Sequence, residues 1–130
     1  MKSASAEDVF GPLEVRILRA MWHGGPSSVG EITDSLAADG GRHPAYTTVM
    51  TVLGRLLEKA VVRRVKRGRL YVWEPVADES DLVESVGQRA VDRLVDRYGA
   101  TALRQFAIRV ADLDPALRTQ LIDLAQGESE

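Results

Sequence analysis

The chain has 130 residues, of which 45% are hydrophobic and 28% charged, and its net charge is −2. This length suits one domain with a small appendage, and no apolar run approaches the roughly 20 residues that a membrane span needs. The absence of cysteine excludes disulfides, thiolate metal sites and cysteine nucleophiles. Because the N-terminus lacks a signal-peptide pattern, we expect a cytoplasmic protein without membrane contact.

Charge is distributed unevenly along the chain. Residues 42–73 contain eight basic residues and one acidic residue, whereas residues 76–130 contain six basic and eleven acidic residues. A positive stretch in an acidic protein is typical of a local surface that binds a polyanion such as DNA. An ordinary solvated surface explains the charge alone equally well.

The first elements are predicted from helical spacing and end signals. The polar segment Met1–Phe10 is expected to be frayed. Apolar residues at helical spacing predict a helix over Pro12–His23, which the following Gly-Gly-Pro stops. After a short extended piece, Ser28 and Glu31 form a capping-box pattern that predicts the start of a second helix. That helix is expected to end at the glycines around Gly40.

A third helix is predicted over Ala45–Ala60, after Pro44. Its apolar positions form one buried stripe: Val49, Val52, Leu53, Leu56 and Leu57. Its remaining faces carry side chains that form hydrogen bonds: Tyr46, Thr47, Thr48, Thr51, Arg55 and Lys59. Threonine is a poor helix former, so this exposed row favours DNA recognition over an ordinary surface. Its hydroxyls and methyls suit base edges in the major groove, and Arg55 suits a phosphate or a guanine edge.

The next two segments, Val61–Arg67 and Leu70–Pro75, read as the strands of a β-hairpin with a turn at Gly68. Strand alternation is expected to place four side chains on the face away from Arg64 and Lys66: Val61, Val65, Tyr71 and Trp73. Five cations belong to this hairpin: Arg63, Arg64, Lys66, Arg67 and Arg69. Contact with DNA phosphates or the minor groove and protection of an exposed strand edge are both compatible with them.

Three more helices are predicted after Pro75, the first followed by Gly99 and the last opened by Asp114-Pro115. The first carries a long apolar stripe: Leu82, Val83, Val86, Val91, Leu94, Val95 and Tyr98. These helices cannot form much of a core alone, and a second copy of the chain is the simplest partner for the stripe. The alternative is that they fold back onto the N-terminal part.

The predicted order is typical of a winged helix-turn-helix domain (residues 1–76) followed by a helical dimerisation domain (residues 77–130). The fold is therefore mainly α with a small β-hairpin wing. His23 and His43 are far apart in sequence and no metal-ligand spacing is present, so neither a metal nor another cofactor is expected. No phosphate loop or catalytic triad is visible, which disfavours an enzyme. A winged helix that binds a protein or a ligand rather than DNA is the alternative function.

Several strings in this order resemble the BlaI/MecI penicillinase-repressor family. They are Gly11-Pro12-Leu13-Glu14, Val29-Gly30-Glu31-Ile32, Ala45-Tyr46-Thr47-Thr48-Val49-Met50-Thr51-Val52-Leu53, and Val61-Val62-Arg63-Arg64. The resemblance implies a homodimer that represses genes from a pseudo-palindromic DNA operator. It also implies that Thr47, Thr48 and Thr51 face bases, while Arg55 and the wing cations hold the DNA backbone.

The resemblance implies a release mechanism as well. In the best-known members a sensor protease cuts before a phenylalanine in the C-terminal domain. Gln105-Phe106 occupies the corresponding place, with glutamine where the family has asparagine. Lys59-Ala60 stands where the family has Lys-Gly. The paired cysteines of the copper-responsive branch are absent, so copper sensing of that type is not expected.

Overall fold

The computed structural model describes residues 3–126. They separate into two compact units, residues 4–85 and residues 86–126, and Ser3 groups with the second. In chain order the elements are α1 (Ala6–Val9), α2 (Pro12–Gly24), α3 (Val29–Ala38), α4 (Tyr46–Glu58), β1 (Val62–Arg67), β2 (Leu70–Pro75), α5 (Glu79–Tyr98), α6 (Ala100–Ala111) and α7 (Pro115–Gln126). The expected mainly α fold with a small hairpin wing is confirmed. Within the described range, no helix has both the length and the apolar character needed to cross a membrane.

The core of the first unit lies between α2, α3 and α4. Eight of its side chains are no more than 2% exposed: Ile17, Leu18, Met21, Ile32, Leu36, Val49, Leu53 and Leu56. The predicted capping box opens α3, since the Glu31 amide donates to the Ser28 hydroxyl and the Ser28 amide donates to the Glu31 carboxylate. Gly40, just beyond α3, has a φ of 86°, a conformation that glycine adopts without strain.

The start of the chain differs from the expected frayed segment. Met1 and Lys2 lie outside the described residues, but Ala6–Val9 forms the short helix α1. Ala6 is fully buried, and Glu7 pairs with Arg19 of α2. The polar composition gave the wrong expectation, because the burial of Ala6 and the Glu7–Arg19 ion pair attach this short helix to α2.

The hairpin places Arg67 opposite Leu70, so its turn consists of Gly68 and Arg69. Gly68 has a φ of 63°, as a tight two-residue turn requires. At the other end of the hairpin, Ser27 and Trp73 exchange two backbone hydrogen bonds of 3.0 and 2.7 Å. This bridge attaches the base of the wing to the segment before α3.

The predicted division of side chains between the wing faces is wrong. The register pairs Arg64 with Trp73 and Lys66 with Tyr71. Directly opposed residues of an antiparallel pair point to the same face. The two aromatic side chains therefore share a face with Arg64 and Lys66 instead of opposing it.

Helix α5 begins in the first unit and continues into the second. Leu82, near its start, is fully buried. This corrects the expectation that Leu82 belongs to a dimer contact, because a side chain with no exposed surface leaves nothing for a partner to cover. The predicted separation of the last three helices is confirmed: Gly99 has a φ of 56°, and Asp114 accepts a 3.0 Å hydrogen bond from the Leu117 amide.

Candidate nucleic-acid interface

Helix α4 buries one side and exposes the other. Val49, Val52, Leu53 and Leu56 are at most 7% exposed, as predicted. Leu57 is 37% exposed, which corrects its assignment to the buried stripe, since it lies at the edge of the apolar face. The exposed residues of the other side are Tyr46, Thr47, Thr48, Met50, Thr51, Arg55, Glu58 and Lys59. All five α4 residues predicted to contact DNA are thus exposed: Tyr46, Thr47, Thr48, Thr51 and Arg55.

The three threonines of α4 are not equivalent. The Thr51 hydroxyl donates a 2.9 Å hydrogen bond to the Thr47 carbonyl, one turn earlier. Its proton is therefore engaged, and Thr51 presents a methyl group and oxygen lone pairs. Among residues 3–126, no hydrogen bond involves the side-chain hydroxyl of Thr47 or Thr48. Those two hydroxyls are free both to donate and to accept.

Arg16 of α2 holds the loop that leads into α4. Its guanidinium forms two hydrogen bonds with the Asp39 carboxylate, of 2.8 and 2.9 Å. It also donates to the carbonyls of Leu36 and Arg42. The hydrogen bond from Arg16, assisted by one from the Gly41 amide, lowers the pKa of Asp39. The segment before α4 is therefore fixed to α2 by one arginine.

The other end of α4 is also attached to α2. The Lys59 ammonium lies 3.1 Å from the Glu14 carboxylate. The same carboxylate accepts a 2.9 Å hydrogen bond from the Gly11 amide, at the start of α2. The buried apolar face of α4 sets the direction of the threonine row within the first unit, and α2 additionally contacts the loop before α4 and the residue after it.

The wing cations occupy different environments. Arg63 is paired with Glu74 at 2.6 Å, so one carboxylate of the hairpin already engages its charge. The Arg64 guanidinium lies over the Tyr71 ring, 4.3 Å from its centroid, and 5.6 Å from the Trp73 ring. Such stacking orders an arginine while keeping its charge.

The remaining three wing cations, Lys66, Arg67 and Arg69, have no acidic partner in the part of the chain that the structure describes. All three are exposed near the turn. Together with Arg64 they leave four available positive charges on the wing, at the positions that the sequence assigned to backbone contact. These charges and the threonine row lie in the same compact unit.

Two features of this region received no structural interpretation from the sequence. Met50 is 48% exposed on the threonine side of α4, and its spacing outside the apolar stripe already indicated this. Ala60, after α4, has a φ of 61°, the left-handed conformation that favours glycine. Among the described residues, no three acidic, histidine or cysteine side chains are placed to hold a metal ion.

The residues predicted to dimerise or to be cleaved lie on α5 and α6. Val91, Leu94 and Tyr98 are 48%, 42% and 51% exposed, whereas Val83, Val86 and Val95 are half-buried. In α6, Gln105 and Phe106 are both exposed.

The profile of the penicillinase repressor family matches residues 10–127. The chain belongs to the penicillinase repressor family. This is a family of transcriptional repressors, not enzymes. The transcriptional regulator BlaI of Mycobacterium tuberculosis is 35% identical over 121 residues, which cover 91% of this chain and 86% of that protein.

The chain also resembles solved structures. The solution structure of the Bacillus licheniformis BlaI monomeric form in complex with the blaP half-operator is 26% identical, with a TM-score of 0.48. The matched region covers 55% of this chain and 85% of the BlaI chain. The apo crystal structure of MarR from E. coli is 14% identical, with a TM-score of 0.50, and covers 85% of this chain and 82% of the other. The likeness to MarR concerns the fold alone.

Proposed function

We propose that the protein is a transcriptional repressor that binds a pseudo-palindromic DNA operator as a homodimer. The observation that carries this proposal is the exposed threonine row of α4, held in a fixed direction beside a wing with four available cations. This combination supplies groups for base edges and groups for phosphates in one compact unit. A bacterial repressor acts on chromosomal DNA, so the proposal places the protein in the cytoplasm.

In this proposal α4 lies in the major groove of the operator. The free hydroxyls of Thr47 and Thr48 bond to base edges, and the Thr51 methyl contacts a thymine methyl. Tyr46, which is 51% exposed at the start of the helix, completes the base-reading set. Arg55, also exposed, bonds to a phosphate and sets the register of the helix.

The wing is proposed to hold the DNA backbone. Arg64 is ordered over Tyr71, so less side-chain entropy is lost when it meets a phosphate. Lys66, Arg67 and Arg69 add charge near the turn, where the hairpin projects. Neutralising phosphates releases counterions, so the proposal requires affinity to fall steeply with salt.

The homodimer is supported by the burial pattern of the second unit. No residue of 86–126 is buried. Seven of its large apolar side chains are more than 40% exposed: Val91, Leu94, Tyr98, Leu103, Phe106, Ile122 and Leu124. A helical unit of this size cannot be stable without covering such surface. A second copy offers the same surface, so a two-fold contact covers both at once.

We further propose that repression is relieved by a signal acting on the second unit, with cleavage between Gln105 and Phe106 as one route. Both residues are exposed in α6, and α6 has no buried side chain to hold it in place. Phe106 belongs to the surface that a second copy is proposed to cover, so a protease reaches this bond when that contact opens, and no buried side chain of α6 then opposes local unwinding. Such a cut would divide the apolar surface proposed to hold two copies together.

The decisive experiment compares Thr47→Val and Arg67→Ala on a duplex that the wild-type chain selects from random DNA. Thr47→Val replaces the hydroxyl with a methyl group of similar size, so it should weaken binding to the selected duplex by about 1–3 kcal/mol and leave binding to random DNA unchanged. Arg67→Ala should weaken both and reduce the salt slope by about one unit. Thr101→Val, at an exposed position of α6, is the matched control.

Two results contradict the proposal in different ways. If both variants lose affinity equally on selected and random DNA, the base-reading assignment of α4 is wrong. If the wild-type chain shows no steep salt dependence on any duplex, the protein does not act on DNA. The alternative of a winged helix that binds a protein or ligand would then hold.

A further inference from the structure

Gly54 lies in the interior of α4, in the first unit. It is the ninth of the thirteen residues of α4. Glycine destabilises a helix interior relative to alanine, because it loses more backbone freedom on folding. A glycine at this position therefore calls for a compensating reason.

The fold itself supplies no such reason. The backbone of Gly54 is ordinary helix and is not among the positive-φ positions, such as Gly25, Gly40 and Gly68. A Cβ built on Gly54 meets no atom within 4 Å. Within the described residues, neither the backbone conformation nor the packing requires glycine at position 54.

The position of Gly54 points outward on the DNA-reading side. It follows Thr51 by three residues and Thr47 by seven, spacings that return to the same side of a helix. It is partly exposed, and its neighbour Arg55 is exposed. Gly54 therefore leaves a gap between the side chains of α4 that are proposed to contact DNA.

We propose that Gly54 is a positioning residue whose missing side chain lets α4 approach a sugar–phosphate strand at the wall of the major groove. This inference rests on the proposed function. A glycine allows a backbone to come close to a ligand that a Cβ would hold away. The close approach at Gly54 brings the free hydroxyls of Thr47 and Thr48 within reach of base edges.

The test is Gly54→Ala, measured on a duplex selected by the wild-type chain and on a random duplex. Because alanine is the better helix former and has space here, the melting temperature should rise by a few degrees. Affinity for the selected duplex should fall by about tenfold or more, since one added carbon displaces the helix from a close contact. Affinity for random DNA, which needs no deep insertion, should change by less than about twofold. The larger Gly54→Gln should lose further affinity for the selected duplex.

A purely structural role would move stability and affinity in the same direction, so the opposite signs are the diagnostic result. Ser35→Ala, at an exposed position of α3, is the control for the general effect of a better helix former. If Gly54→Ala keeps wild-type affinity for the selected duplex, or lowers the melting temperature, the inference is wrong. If the wild-type chain selects no sequence, the proposed function fails, and this inference fails with it.

Discussion

Replacement of Leu94 by alanine is expected to weaken self-association of the chain. Leu94 lies on α5 and is 42% exposed. Full burial of a leucine side chain contributes about 1.5–3 kcal/mol. If a second copy covers the part now exposed, its contribution is about 0.6–1.3 kcal/mol per chain. Two-fold symmetry repeats the change, giving about 1.2–2.6 kcal/mol per dimer, or an eightfold to eightyfold rise in the dimer Kd.

Sedimentation equilibrium across a range of protein concentrations measures this Kd directly. Asp92→Ala is the matched control, because Asp92 is exposed on α5 but points about 160° around the helix from Leu94, taking 100° per residue. The control should leave the Kd within about twofold of the wild type. Equal Kd values for Leu94→Ala and the wild type would refute the proposed interface. A wild-type chain that is monomeric at micromolar concentration would refute the dimer itself.

Two further predictions concern the stability of the first unit. The hydrogen bond from Arg19 lowers the pKa of Glu7 from 4.5 to about 2, so the stabilisation from this pair is complete above pH 4.5 and is lost as the pH falls towards 2. Glu7→Gln should therefore lower the melting temperature at neutral pH, and only modestly, because the ion pair is exposed. The difference in melting temperature between Glu7→Gln and the wild type should disappear as the pH falls towards 2. A difference that persists unchanged down to pH 2 would contradict this account. Ala60→Gly should raise the unfolding free energy by about 0.5–1 kcal/mol, because Ala60 has a φ of 61° and glycine adopts this conformation without strain. Urea titration measures that change, and a loss of stability would show that the turn is not strained.

The ends of the helices were predictable because single residues determine them. Ser28 and Glu31 fixed the start of α3 through a capping box, and Gly99 fixed the end of α5 through a positive φ. These signals act over one turn and can be read from a short string. The buried stripe of α4 was predictable for the same reason, except at Leu57, where the edge of the stripe depends on how far neighbouring elements reach.

Features that depend on two segments at once were harder to predict. The faces of the wing follow from the register, and the register follows from a turn of two residues. With Arg67 opposite Leu70, odd-numbered residues of β1 share a face with even-numbered residues of β2, so counting alternation along the chain gave the wrong grouping. The burial of Leu82 and the attachment of α1 are also long-range contacts. Neither has a signal in the local pattern.

The contrast in burial between the two units bears on how repression could be released. The first unit has a closed core and carries the proposed DNA contacts, whereas residues 86–126 have no buried side chain. In a dimer, the second α4 binds its half-site at a high effective concentration once the first is bound. An event that separates the second units therefore lowers operator affinity without changing α4 or the wing. Leu94→Ala should accordingly weaken binding to a full operator and leave binding to an isolated half-site unchanged.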